Sequence, residues 1–309
     1  MYSKPQIISY MKKLMLSLAM TILVISGAMC QSNLKLISYN IWNGYDWGKD
    51  TIRKENQIAW IKGQQPDIMA MQEVCGYTDE KLKEDCAKWG HEYSVLLKTS
   101  GYSVGLTSKY PITLKEKIME GMHHGALHCE VEGITIFVVH LSPFQWEKRN
   151  AEADILLPKI KKAIADNGKV IVCGDFNAKS PIDADWYNSN DVLLKKMAES
   201  DEKHGHVHNL KDGQFCYTAI SKFLGEGLTD VCAKYVSSGN ARISCPTLVF
   251  AKNKKEEKDL IEGGNRIDFI LTSYELAKNC TNAFVYNGRE TANLSDHYPV
   301  GAEFRKVER

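Results

Sequence analysis

The chain has 309 residues, 44% hydrophobic and 25% charged, with 39 Lys and Arg against 38 Asp and Glu. That suits one large globular domain or two small ones, and no internal repeat or low-complexity tract interrupts it. A net charge of +1 lacks the basic excess typical of nonspecific DNA binders, though a local basic patch stays open.

The first element is MKKLMLSLAMTILVISGAMC, residues 11–30. Lys12 and Lys13 precede an apolar run, and Ala28-Met29-Cys30 offers a cleavage site. The run is short for a membrane span and fits a signal peptide, so residues 1–30 are expected to be removed on export, leaving one domain over 31–309. The mature chain would then carry no transmembrane segment. A lipid-modified Cys30 is the minority reading, because Met29 replaces the small residue expected before such a cysteine. Cleavage removes Lys4, Lys12 and Lys13 and no acid, turning the net charge to −2. Eight cysteines remain, an even number that permits disulfides in an exported protein. None forms a CxxC pair, which disfavours a zinc knuckle or thioredoxin-like site.

LKLISYNIW (34–42) alternates as a strand ending near Asn40. Residues 50–67 read as a helix stopped by Gly63 and Pro66. DIMAMQEV (67–74) is a short buried strand with Glu73 at its far end. Residues 80–90 form a helix ended by Gly90, and YSVLLK and YSVGLTS pair as strands. Residues 126–143 are a hairpin turning at Glu132-Gly133, whose second strand delivers His140. Residues 147–166 are helical, kinked or split at Pro158. KVIVCGDFNAKSP (169–181) is an apolar strand running into Gly174, Asp175, Phe176 and Asn177. This stretch reads either as an ordinary turn or as a site where glycine lets the backbone approach a ligand. A helix near 191–199 and strands near 228–236 and 244–251 follow. NRIDFILTS and HYPVGAEFR are the last two strands, bearing Asp268 and following Asp296-His297. Strands alternating with helices suggest a layered sandwich.

Asn40, Glu73, His140, Asp175, Asn177, Asp268, Asp296 and His297 thus all lie at or beside strand ends. One such residue is more often a cap or solvated turn; several on unrelated strands can line one crevice. Glu73 and Asp296 are hard oxygen donors and Asn40 adds an amide oxygen, a set suited to Mg²⁺ or Mn²⁺. Asp175 and His297 offer acid–base groups, and His140 and Asn177 offer contacts to phosphate oxygens. The set fits metal-assisted attack of water on a phosphate ester.

SYNIW, MQEV, VVHLSP, GDFN, RIDFIL and SDHYPV, in that order over roughly residues 34–305, resemble the endonuclease/exonuclease/phosphatase superfamily, the DNase I-like hydrolases. The resemblance implies an α/β fold, a four-layer α/β/β/α sandwich with the site at one edge of the sheets. It implies Glu73 as principal metal ligand with Asn40 and Asp296. It implies Asp175 as the residue orienting or activating water, Asn177 as its partner, and His140 as a phosphate contact. Asp268 would hydrogen-bond His297. Which of Asp175 and His297 is the base stays open. Abasic-site endonucleases of this family carry an acid two residues after the first Asn; Trp42 stands there instead, which argues against base-excision repair.

Trp42, Tyr45 and Trp47 could stack on a base or cover a lipid head group, or simply be buried. Lys148 and Arg149 could meet phosphate or be a solvated helix face. His204, His206 and His208 have alternating spacing without an evident fourth ligand. His123, His124 and His128 face the same choice, with His128 placed near the site by its strand's pairing with the one that ends in His140. The expected function is an exported Mg²⁺-dependent hydrolase of a small or lipid-linked phosphoester. The alternatives are a secreted nuclease, with nucleic acid as partner, and a catalytically idle binding module.

Overall fold

A computed structural model describes residues 33–306; the expected signal peptide and Cys30 lie outside them. The strands are β1 (Asn33–Asn40), β2 (Ile68–Gln72), β3 (Tyr93–Leu96), β4 (Gly105–Ser108), β5 (Ile112–Ile118), β6 (Ala126–Val131), β7 (Ile134–His140), β8 (Val170–Asp175), β9 (Leu210–Lys211), β10 (Gln214–Phe215), β11 (Leu228–Asp230), β12 (Asp268–Ser273), β13 (Cys280–Val285) and β14 (Val300–Arg305). They form two mixed six-stranded sheets, ordered β13-β14-β1-β2-β4-β3 and β11-β12-β8-β7-β6-β5, with β9 and β10 as a separate ribbon.

Period-two alternation builds the layers. On β1, Leu34 and Leu36 join the core between the sheets, while Ile37 and Tyr39 pack with Ile61 of helix Thr51–Gln64 and Leu82 of helix Asp79–Lys88. On β8, Ile171 and Cys173 face the inter-sheet core, and Val170 and Val172 meet Leu156 and Ile160 of helix Trp146–Asn167. The result is the α/β/β/α order of layers. Among the described residues, no helix is long and apolar enough to cross a membrane.

Several local expectations are corrected. Helix Trp146–Asn167 is not split at Pro158, because its buried stripe of Ala153, Leu156, Ile160 and Ala163 is held on the sheet. Gly63 lies within helix Thr51–Gln64, which ends at Gln65 in the left-handed region, φ 51°. Only Leu228–Asp230 of the 228–236 segment is a strand; Val231–Tyr235 is helical, capped by the Asp230 carboxylate on Ala233 N–H. Residues 244–251 form no strand, and Leu248–Phe250 is a 3₁₀ turn. All eight cysteines described are free thiols, six of them buried.

Candidate active site

The inner faces of four strands end in polar side chains. Leu34 and Leu36 of β1 lead to Asn40; Ile136 and Val138 of β7 lead to His140; Ile171 and Cys173 of β8 lead to Asp175; Ile270 of β12 lies two residues beyond Asp268. Strand register does the rest. His140 is opposite Asp175 in the parallel β7–β8 pair, and Asp268 is opposite Asp175 in the antiparallel β12–β8 pair. All three therefore project from one sheet face at one level. Gly174 makes the close approach possible. It has φ 140°, and a Cβ there would lie 2.0 Å from the Val139 carbonyl oxygen. Its smallness admits a neighbouring strand, not a ligand, as the physical reason for glycine in GDFN.

Asp175 is the hub. Its Oδ1 accepts from Asn177 N–H at 2.8 Å, in a turn where Asn177 has φ 47°. Its Oδ2 accepts from Asn40 Nδ2 at 3.2 Å, and lies 3.6 Å from His140 Nε2 and 3.8 Å from His297 Nε2. Burial raises its pKa strongly, with neighbouring Asp268 and Glu73 adding to the rise and His297 opposing it. His297 Nδ1 is 2.9 Å from Asp268 Oδ2, so the ring is oriented by a carboxylate on one side and presents Nε2 to Asp175 on the other. Burial alone would push His297 down; Cys245, Asp268 and Asp175 around it more than offset this and hold it well above the ordinary imidazole range. His140 goes the other way. Burial, then the nearby His124, His297 and His123, push it far below that range, so it is a neutral imidazole. Its ring stacks on His124 with centroids 4.1 Å apart, and its Nδ1 is buried without a partner among the described residues.

Glu73 follows β2 with φ 56°. Its Oε2 accepts from Asn43 N–H at 2.7 Å and its Oε1 from Asn40 Nδ2 at 3.2 Å. The peptide that holds it belongs to an unusual run: Trp42 to Trp47 all have φ between 51° and 62°. Gly44 sits where a Cβ would meet the Cys75 carbonyl oxygen at 2.0 Å. Asn40 uses its amide nitrogen to bridge Glu73 and Asp175, and its Oδ1 accepts from Trp42 N–H at 3.1 Å. Ser295 ties the last loop to β1, donating to the Asn40 carbonyl oxygen at 2.7 Å. Asp296 follows it, and burial raises its carboxyl, as it raises that of Glu73.

These groups open into a cleft of about 360 Å³. Glu73, His140, Asp175, Asn177, Asp296 and His297 line its reactive side; Asp268 lies behind His297 Nδ1. Among the described residues, Asp175, Asp268 and His297 offer three donor atoms within 4.8 Å of one another. Asp268 is hydrogen-bonded to His297 and does not line the cleft, whereas Glu73 and Asp296 do, Glu73 accepting one N–H on each oxygen with lone pairs left for a cation. Four buried or half-buried carboxylates against one cationic ring form a donor set that a hard divalent cation would neutralise.

Other expected contributors lie elsewhere. His128 is opposite Phe137, not His140, and stacks on that ring at 4.3 Å; the pairing is right but the register puts it three residues down the strand. Its place is taken by His124 and His123, which line the cleft. Arg149 is buried, with Nη1 donating to Ser142 O at 3.0 Å and Asn209 Oδ1 at 2.8 Å; Lys148 Nζ donates to Gly121 O. Tyr45 is buried, whereas Trp42 lines the cleft. His204, His206 and His208 join no metal-ligating group among the described residues. The sequence reading missed Arg266 of the RID motif. It is buried, with Nη1 2.9 Å from Asp183 Oδ2 and Nη2 2.6 Å from Asp230 Oδ1, and it anchors the approach to Asp268.

The sequence matches the Endonuclease/Exonuclease/phosphatase family over residues 37–297, and the chain belongs to that family of phosphoester hydrolases. Among solved structures, an AP endonuclease from Archaeoglobus fulgidus is similar, with TM-score 0.62 and 21% identity over 88% of this chain and 100% of that one. A substituted form of the 3′ phosphatase NExo from Neisseria, bound to a product DNA hairpin, has TM-score 0.61 and 19% identity over 88% and 99%. A 3′-5′ exonuclease from Neisseria meningitidis has TM-score 0.62 and 18% identity over 88% and 100%. At these identities the likeness shows the DNase I-like fold alone. No curated protein matches the sequence significantly.

Proposed function

We propose that this chain is an exported Mg²⁺- or Mn²⁺-dependent hydrolase of a small or lipid-linked phosphoester. The observation that carries the reading is the linked set Asn40–Asp175–His297–Asp268, assembled from both sheets at the floor of a small cleft. The basic-then-apolar stretch 11–30 supports export.

Glu73 and Asp296, with Asn40 beside them, would hold the cation, which when bound supplies charge neutralisation at a phosphoryl oxygen. Asp175, fixed by Asn177 N–H and Asn40 Nδ2, is placed to orient a water and take its proton. His297, held charged by its acidic neighbours, directs Nε2 into the cleft and stabilises negative charge developing on phosphorus-bound oxygens. Neutral His140 offers a hydrogen bond there without adding charge. Trp42, in place of an acid, argues against abasic-site cleavage.

A panel of nucleotides, sugar phosphates, inositol phosphates, phospholipids and plasmid DNA, each with Mg²⁺ and with chelator, tests this. Chelator-sensitive turnover of a small or lipid-linked ester supports it. Preferential DNA cleavage at low enzyme concentration would instead support the nuclease reading, which the folds of the DNA-acting neighbours keep in view. Tight partner binding without turnover of any ester would support an idle binding module.

A further inference from the structure

The cleft has a second wall that the chemistry above does not use. Beside the acids and His140, the cleft is lined by Trp42, Tyr102, His123, His124, Pro143 and Phe144. The rings form a continuous chain of contacts. Tyr102 lies 5.4 Å from His124, His123 lies 4.4 Å from His124, and Phe144 lies 5.4 Å from His123. Tyr102 and Phe144 are 38% and 37% exposed, although each is large and ring-bearing. Trp42 is braced by Phe250 at 5.3 Å and by the Arg53 guanidinium at 4.7 Å. That guanidinium is occupied by Asp50, Ile41 O and Trp42 O, so it is not free for a phosphate.

Among the described residues, no Lys or Arg lines the cleft. His124 is held neutral, pushed down to about 3 by burial and then by His123 and Lys98. A lining of ring side chains with no Lys or Arg among them offers stacking surface to a flat group and no cationic partner to a second phosphate. A volume of about 360 Å³ is at the small end for ligand sites, enough for one phosphate and one ring system.

Resting on the proposed hydrolase reading, we infer that the substrate is a small phosphoester with a single charged phosphate and one planar ring, aryl or nucleobase, seated against Tyr102, His124 and Phe144. A polyanionic strand or a polyphosphorylated sugar does not suit this wall.

The test keeps the leaving group constant and varies the other ester group. Trifluoroethyl esters of benzyl phosphate, thymidine 5′-phosphate, methyl phosphate and octyl phosphate, whose shared leaving group carries no ring, are compared by kcat/KM for trifluoroethanol release with Mg²⁺, in the wild type, Tyr102→Ala and Phe144→Leu. The ring-bearing esters are expected to exceed the methyl ester by about tenfold or more, mainly through KM. The two ring-bearing esters separate an aryl from a nucleobase source. In either variant the ring-to-methyl ratio is expected to fall severalfold. A ratio near one in the wild type, a ratio unchanged in both variants, or an octyl ester better than both ring esters would overturn the inference. Absence of metal-dependent turnover of every ester would instead overturn the hydrolase reading beneath it.

Discussion

Asp175 Oδ2 and Asn40 Nδ2 lie 3.2 Å apart across the seam between the two sheets. This contact joins the ends of β8 and β1, 135 residues apart in the chain. It makes the site depend on how the sheets stack, and not on any one loop. It also confines a carboxylate where desolvation is severe, a situation found where chemistry needs it.

Asp175→Asn keeps the size of the side chain and one of its two accepted hydrogen bonds but removes the charge. Turnover is expected to fall by about 10²-fold or more. The thermal midpoint should hold or rise, because a buried carboxylate is no longer desolvated. Steady-state kinetics and a thermal melt on the same preparation check both halves.

Glu73→Ala removes the acceptor for Asn43 N–H and Asn40 Nδ2. The Mg²⁺ concentration for half-maximal activity is expected to rise by about tenfold or more. A metal titration with unchanged midpoint would take Glu73 out of the ligand set.

Asp183 receives Arg242 Nη1 at 2.6 Å and Arg266 Nη1 at 2.9 Å, all three side chains being buried. Asp183→Ala leaves buried guanidinium charge uncompensated, so denaturant unfolding should show a loss of about 3–5 kcal/mol. The peptide leading to Asp268 would keep only the Asp230 half of its Arg266 anchor.

His91 gives a pH prediction away from the site. Its Nδ1 meets Thr107 Oγ1 and its Nε2 meets Pro66 O, both at 2.8 Å, and burial pushes it from 6.5 down to about 4. Because the folded value is depressed, this stability is fully present above pH 6.5 and is lost as pH falls toward 4. Between pH 6.5 and 5 the loss is roughly 1.5 kcal/mol. Urea midpoints at pH 7 and pH 5 should converge in His91→Gln relative to the wild type.

Much of this arrangement is legible in the sequence, for one physical reason. Buried strands alternate apolar residues toward the core, so a polar residue that ends the inner-face series, such as Asn40, His140 or Asp175, announces itself. The edges are less legible. Ile112–Ile118 and Cys280–Val285 are strands at sheet margins, β5 exposing much of its length, and neither carries a continuous apolar signal. The left-handed run from Trp42 to Trp47 has Asn43, Gly44 and Asp46 as residues tolerant of it, but Trp42, Tyr45 and Trp47 give no such cue. Register also hides from the sequence: knowing that β6 pairs with β7 does not say that His128 meets Phe137. Arg266 is buried only because Asp183 and Asp230, 83 and 36 residues away, come to meet it.

The central claim is that Asp175 and His297 act as one unit on one phosphorus centre. A double-mutant cycle with Asp175→Asn, His297→Ala and the combined variant, read as kcat/KM on a turned-over phosphoester with saturating Mg²⁺, tests it most directly. The account predicts that the combined loss is within about tenfold of the larger single loss. Losses that multiply in full, or a His297→Ala variant near wild-type activity, would contradict it.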